Sequence, residues 1–139
     1  MNSERSRPLD APRLFLDRDI WSHVLDDALK NAGIDYVAHR ERFLPETPDS
    51  EWLAEAGKQG WIVLTRDQRI RYRPNELNAV IAARVVLFVL TQGNLSAAET
   101  ARIVVGAYPR IIKKAREAVA PAIYTLVTSG KIGRVRLGR

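Results

Sequence analysis

The chain of 139 residues contains no cysteine, one methionine and two histidines. Without cysteine, disulfide scaffolds, thiol catalysis and thiolate zinc sites are excluded. His23 and His39 stand at no metal-ligand spacing, so structural or surface roles suit them better than ligation. Apolar runs do not exceed strand length, which leaves no membrane-spanning segment to expect. From Met1 to Pro12 the charges of Glu4, Arg5, Arg7 and Asp10 interrupt any signal-peptide pattern, and a cytoplasmic address is the default expectation. A glycine-rich phosphate cradle and a Ser/His/Asp set are also missing, so nucleoside-triphosphate hydrolysis and serine chemistry lack support.

Acidic residues are scarce in one half only. Residues 1–65 carry 8 Lys and Arg against 12 Asp and Glu, whereas residues 66–139 carry 14 against 4. The resulting net charge of +6 is therefore an acidic half joined to a basic one, and a polyanion is the leading partner for the basic half. Hydrophobic residues at 46% and charged residues at 27% describe an ordinary folded protein. The length suits a single domain over residues 1–139, with 1–12 expected to be disordered.

What is present is an alternation of strand and helix patterns. Leu14–Asp17 reads as a first strand, and Ile20–Ala32 has helical apolar spacing closed by Gly33, a residue suited to the left-handed position after a helix end. Ile34–Ala38 is a second strand. Thr47-Pro48 fits a helix start, with the hydroxyl as cap and the proline in the first helical position, and this helix ends near Gly57 and Gly60. Trp61-Ile-Val-Leu-Thr65 is a buried parallel strand that runs into Arg66 and Asp67. Residues 66–73 look irregular. A helix over Pro74–Arg84, a strand over Val85–Leu90 and a helix opened by the capping box Ser96–Glu99 follow. Pro109 is expected to break or kink that helix near Ala107, with a second helical segment over Ile111–Val119. Residues 122–139 read as a β-hairpin and basic tail. The pattern predicts an α/β fold with a mostly parallel sheet.

Three carboxylates gather at the expected C-terminal edge of that sheet, where open α/β sheets place their chemistry. Asp17 ends the first strand, Asp67 follows the third, and Asp49 opens the helix between them. Such a set suits a hard cation such as Mg²⁺ or Mn²⁺, which could polarise a phosphodiester and activate water. Taken singly, Asp17 and Asp67 read equally well as turn formers, and Asp49 as a complement to the helix dipole. Asp19 and Glu51 are reserve acids that read better as solvated, and Asp26, Asp27 and Asp35 as surface charges. If residues 66–73 are extended, Arg69, Arg71 and Arg73 point one way and, with Arg66, offer phosphate contacts; a solvated loop explains them equally well. Lys113, Lys114, Arg116, Arg134 and Arg136 make a second basic set.

In order and spacing, four segments resemble the PIN-like nuclease domains, in particular their compact VapC-toxin-like branch: Leu14–Ile20, Thr47–Trp52, Gly60–Ile70 and Phe88–Leu95. The resemblance covers roughly residues 13–112, and the Thr65-Arg66-Asp67 element is its most specific part. It implies a three-layer α/β/α domain, a Mg²⁺ or Mn²⁺ site, endoribonuclease activity toward RNA and an antitoxin partner, and it allows a homodimer. The family's acids fall on Asp17, Asp49 and Asp67; where fuller members carry a fourth, this chain offers Thr91 and Asn94. A catalytically silent module that binds RNA or a protein through its basic half is the alternative. A phospho-acceptor receiver domain is disfavoured, because Leu90 is followed by Thr-Gln-Gly-Asn and not by a lysine.

Overall fold

A computed structural model describes residues 12–137, so the expectation for residues 1–12 falls, apart from Pro12, outside the described residues. Six strands form one sheet in the order β2-β1-β3-β4-β5-β6. They are β1 (Leu14–Leu16), β2 (Tyr36–Ala38), β3 (Ile62–Thr65), β4 (Val86–Leu90), β5 (Ala122–Leu126) and β6 (Ile132–Val135). All neighbouring pairs are parallel except β5 and β6, the expected hairpin, which is antiparallel.

The helices are α1 (His23–Asn31), α2 (His39–Arg42), α3 (Asp49–Gln59), α4 (Pro74–Ala83) and α5 (Ala97–Glu117). Strand alternation sends neighbouring side chains to opposite faces, and here it feeds two separate cores. Leu14, Leu16, Ile62, Leu64, Phe88 and Leu90 pack with Leu25 and Leu29 of α1 and with Ile103, Val104 and Ile111 of α5. Phe15, Val63, Leu87 and Val89 face the other way and pack with Trp52, Leu53 and Ala56 of α3 and Val80 of α4. Because both faces are covered, the central strands are apolar throughout, and the result is the three-layer α/β/α arrangement.

Four local expectations are corrected. The first helix begins at His23 rather than Ile20, because the Ser22 hydroxyl accepts the Leu25 N–H at 3.0 Å and caps it there. Pro48, not Thr47, is the cap of α3, no side chain caps that end, and Asp49 is the first helical residue. The segment after Asp67 is a 3-10 turn over Gln68–Arg71 rather than an extended or irregular run. Pro109 lies inside α5, which runs unbroken from Ala97 to Glu117 in place of two helices. A helix-interior proline loses one hydrogen bond, at a cost of about 3 kcal/mol. That cost is offset by the apolar stripe that continues across it, with Ile103, Val104 and Ala107 buried before Pro109 and Ile111 and Ile112 after it.

Helices α3 and α4 meet closely at Gly57, where a Cβ would stand 1.9 Å from the Ala83 carbonyl oxygen. That oxygen is backbone and cannot swing aside. Gly57→Ala is therefore expected to force the two helices apart and cost about 3 kcal/mol, the upper end of overpacking effects, as a lowered midpoint in urea unfolding. An unchanged midpoint would show that the contact relaxes freely.

Candidate active-site cleft

The strand order places a switch point between β1 and β3. The chain leaves β1 for β2 on one side and later returns to β3 on the other, so the crevice outside their C-terminal ends opens without a connection crossing it. A cleft of about 700 Å³ lies there, lined by Asp17, Arg18, Asp19, Asp49, Arg66, Asp67, Gln68 and Arg69. The structure thus brings Asp17, Asp49 and Asp67 to one cavity from three segments, together with Arg66 and Arg69.

Each carboxylate is held by a different local device. Asp17 follows β1 directly, and its N–H continues the ladder to the Leu64 carbonyl at 3.0 Å, which fixes it against β3. Its Oδ1 accepts the Arg18 N–H at 2.7 Å. Asp67 caps the 3-10 turn, where its Oδ1 accepts the N–H and the Nε–H of Arg69 at 3.0 and 3.1 Å. Asp49 accepts the indole N–H of Trp52 at 2.9 Å. Trp52 is itself fully buried and stacked on Phe15, so the core orients this carboxylate through a side chain one turn along the same helix.

At the centre is Thr65, the last residue of β3 and fully buried. Its hydroxyl lies 2.9 Å from Oδ2 of Asp17 and 3.3 and 3.2 Å from the two oxygens of Asp19, and it accepts the Asp67 N–H at 3.1 Å. A hydroxyl has one proton to donate, so Thr65 serves one of the two carboxylates at a time. Asp19 also accepts the Arg66 N–H at 3.1 Å.

This crowding shows in the acidities. Desolvation, then the neighbouring Asp19 and more weakly Asp49, push the Asp17 carboxyl up to about 7, against the pull of the Thr65 and Arg18 hydrogen bonds. The Asp19 carboxyl is also raised, by desolvation first and with a contribution from Asp67, although the residue as a whole is exposed. Among the described residues no three acidic or histidine groups form a ready-made metal cluster. Asp17 and Asp19 meet around the Thr65 hydroxyl.

The arginines divide. Arg66 and Arg69 line the cleft, Arg66 donating to the Gly93 carbonyl at 2.6 Å and Arg69 engaging Asp67. Arg71 is turned away against the Tyr72 ring at 4.8 Å, and Arg73 pairs with Glu76 at 3.6 Å. The four-arginine set is therefore not one surface, since a 3-10 turn cannot keep the alternation that an extended strand would. His39 is buried among Phe15, Phe43 and Trp52, in line with a structural role, and His23 is exposed. Asp19, a reserve acid by its sequence position that reads better as solvated, lines the cleft while remaining exposed. Its spacing from Asp17, two residues on across a turn after a strand, was the available signal.

The model of a family described as PIN like domain matches residues 12–92, more than half of the chain. A curated protein of Mycobacterium tuberculosis (strain ATCC 25618 / H37Rv), "Putative ribonuclease VapC45", is 27% identical over 139 residues, spanning 97% of this chain and 99% of that protein. No solved structure gives a significant match. The matched segment holds β1 to β4, all four cleft acids and Thr65, and on that match the chain belongs to the family of PIN-like domains.

Proposed function

We propose that the chain is a divalent-metal-dependent endoribonuclease that cuts RNA phosphodiesters in the cleft between β1 and β3, and that it acts as the toxin of a toxin–antitoxin pair. The observation that carries the reading is the convergence of Asp17, Asp19, Asp49 and Asp67, with Arg66 and Arg69, on one cavity at the switch point of the sheet. The donor set suits a hard cation because it is all oxygen, and the Asp17 carboxyl, raised to about 7 by burial first and by the neighbouring Asp19 second, is a partly desolvated acid that a cation would relieve. Mg²⁺ and Mn²⁺ are the ions that such donors favour. The antitoxin is supported by the name of the relative and by the resemblance, and would be a separate protein.

Asp17, Asp49 and Asp67 would hold the ion, and Thr65 would orient two of them, donating to Asp17 and accepting from the Asp67 backbone. When bound, a divalent cation supplies a Lewis acid for a phosphoryl oxygen and lowers the pKa of water. Arg66 and Arg69 flank the acids; Arg69 would exchange its present Asp67 carboxylate for an RNA phosphate, while Arg66 keeps the Gly93 carbonyl and lends its positive charge to the cleft. The basic half, including exposed Lys113 and Lys114 of α5, would add affinity that is independent of base sequence.

The test is incubation of the purified protein with a mixed RNA pool. Cleavage is expected with Mg²⁺ or Mn²⁺ and none in EDTA. Cutting that persists in EDTA would remove the metal from the reading. RNA that is bound but left intact at every Mn²⁺ concentration would favour the silent binding module, the reading to which the absence of a fourth family acid at Thr91 and Asn94 lends weight.

A further inference from the structure

The two residues that flank Asp67 each give a side-chain donor to the loop between β4 and α5. Arg66 donates to the Gly93 carbonyl at 2.6 Å, and the Gln68 amide donates to the Thr91 carbonyl. The loop is held from behind as well, by the Thr91 N–H on the Leu126 carbonyl at 3.1 Å. Two bonds from cleft-lining residues therefore tie its backbone to the neighbours of Asp67, and a third ties it to β5. Gln92 and Asn94 lie in this tethered stretch. Both are exposed, and among the described residues neither side-chain amide has a hydrogen-bond partner. Residues 91–95 carry no charge, so the loop adds no ion pairing to the attraction of phosphates.

Two exposed amides on a loop bonded to the cleft-lining Arg66 and Gln68 have a specific chemical use beside a site that cuts phosphodiesters. Each presents one acceptor and two donors, the set that pairs with the edge of a nucleobase. Sequence-specific recognition of RNA works mainly on unpaired bases, whose edges are free for such contacts. We infer that Gln92 and Asn94 read the bases beside the scissile phosphate in single-stranded RNA and so set where the chain cuts. This rests on the ribonuclease reading above. Arg66 then has two parts to play: its side chain holds the reading loop through the Gly93 carbonyl, while its backbone N–H holds Asp19. Base selection and the acidic cluster are thereby joined through one residue.

The experiment compares wild type, Gln92→Ala, Asn94→Ala and the double variant on a randomised RNA pool, with two readouts. Cut ends are mapped by sequencing in Mn²⁺, and bound RNA is selected and sequenced in EDTA, which reports base preference whether or not cutting occurs. A bidentate amide–base contact discriminates by about 5- to 150-fold. The double variant is expected to flatten the wild-type preference at one or two positions by at least about tenfold, at the low end of that range. The salt dependence of its RNA binding should stay as in wild type, whereas Arg69→Ala should lower the log–log slope by about one, as a lost phosphate contact does. A preference unchanged in both readouts, a wild type with no preference, or a double variant whose salt slope falls would each overturn the inference. If the wild type cuts nothing but its bound pool shows a preference that the amide variants erase, the base reader stands and the nuclease reading falls.

Discussion

Single replacement of Asp17, Asp49 or Asp67 by Asn is expected to abolish RNA cleavage while leaving the fold and RNA affinity in place. Asn is nearly isosteric, so each variant keeps an oxygen for the local bond it accepts: Thr65 to Asp17, Trp52 to Asp49, Arg69 to Asp67. What it loses is the charge that holds the cation. Outer partners of a metal site typically matter by 10- to 100-fold, so loss of a direct ligand should exceed about 100-fold in rate. Combining two replacements should add little, because residues that act as one unit fail together. Asp19→Asn is the informative companion. Asp19 shares the Thr65 hydroxyl and the same cleft, and a loss as deep as that of Asp17 would promote it from neighbour to ligand. The measurement is single-turnover cleavage in saturating Mn²⁺, with circular dichroism as the check on fold. Full activity in all three variants would mean that the chemistry lies elsewhere.

The second large effect concerns stability and pH. Asp17 has an ordinary carboxyl value of 3.8 when unfolded and about 7 in the folded chain. Between those values the folded state retains a proton that the unfolded state has released, so the native chain binds more protons and stability falls as pH rises. Below about 4 the group is protonated in both states and contributes nothing; above about 7 the full penalty is present. Each pKa unit is worth about 1.4 kcal/mol, which puts an upper bound of about 4 kcal/mol on the effect, reduced by screening on the open side of the cleft. Asp17→Asn should therefore unfold at higher denaturant than wild type at pH 8 and at nearly the same concentration at pH 4. Mn²⁺ should narrow the gap at pH 8 by stabilising the wild type, since an ion that binds only the folded state raises its stability. A wild type whose midpoint climbs from pH 4 to pH 8 relative to the variant would refute this account.

Much of the architecture could be read before any coordinates. Runs such as Leu14–Leu16 and Ile62–Leu64 are apolar at every position, as strands covered on both faces require, and the helices between them set the three layers. The positions of Asp17 and Asp67 followed from the ends of those runs. What was hidden depended on contacts between distant residues. The one-turn helix α2 has no apolar period, and it is placed by the burial of His39 against Phe15 and Trp52. Continuity through Pro109 is likewise a tertiary effect, because local chemistry argues for a break. In the cleft, the Asp17–Thr65–Asp19 arrangement spans 48 residues of sequence and depends on the β1–β3 register, which pairs Leu16 with Leu64. The fate of the arginines turned on a single 3-10 turn, too short to leave a pattern.

The hairpin that ends the described chain bears on how copies of the protein can meet. An open sheet presents unpaired backbone groups along its two outermost strands, and these invite edge-to-edge pairing. Among the described residues those strands are β2, only three residues long, and β6, whose Arg134 lies 5.7 Å from the Tyr124 ring and is followed by the exposed Arg136. One edge is too short to template a neighbour, and the other carries like charges that would face their own copies. Growth of the sheet from one molecule into the next is thus discouraged at both margins of the described sheet.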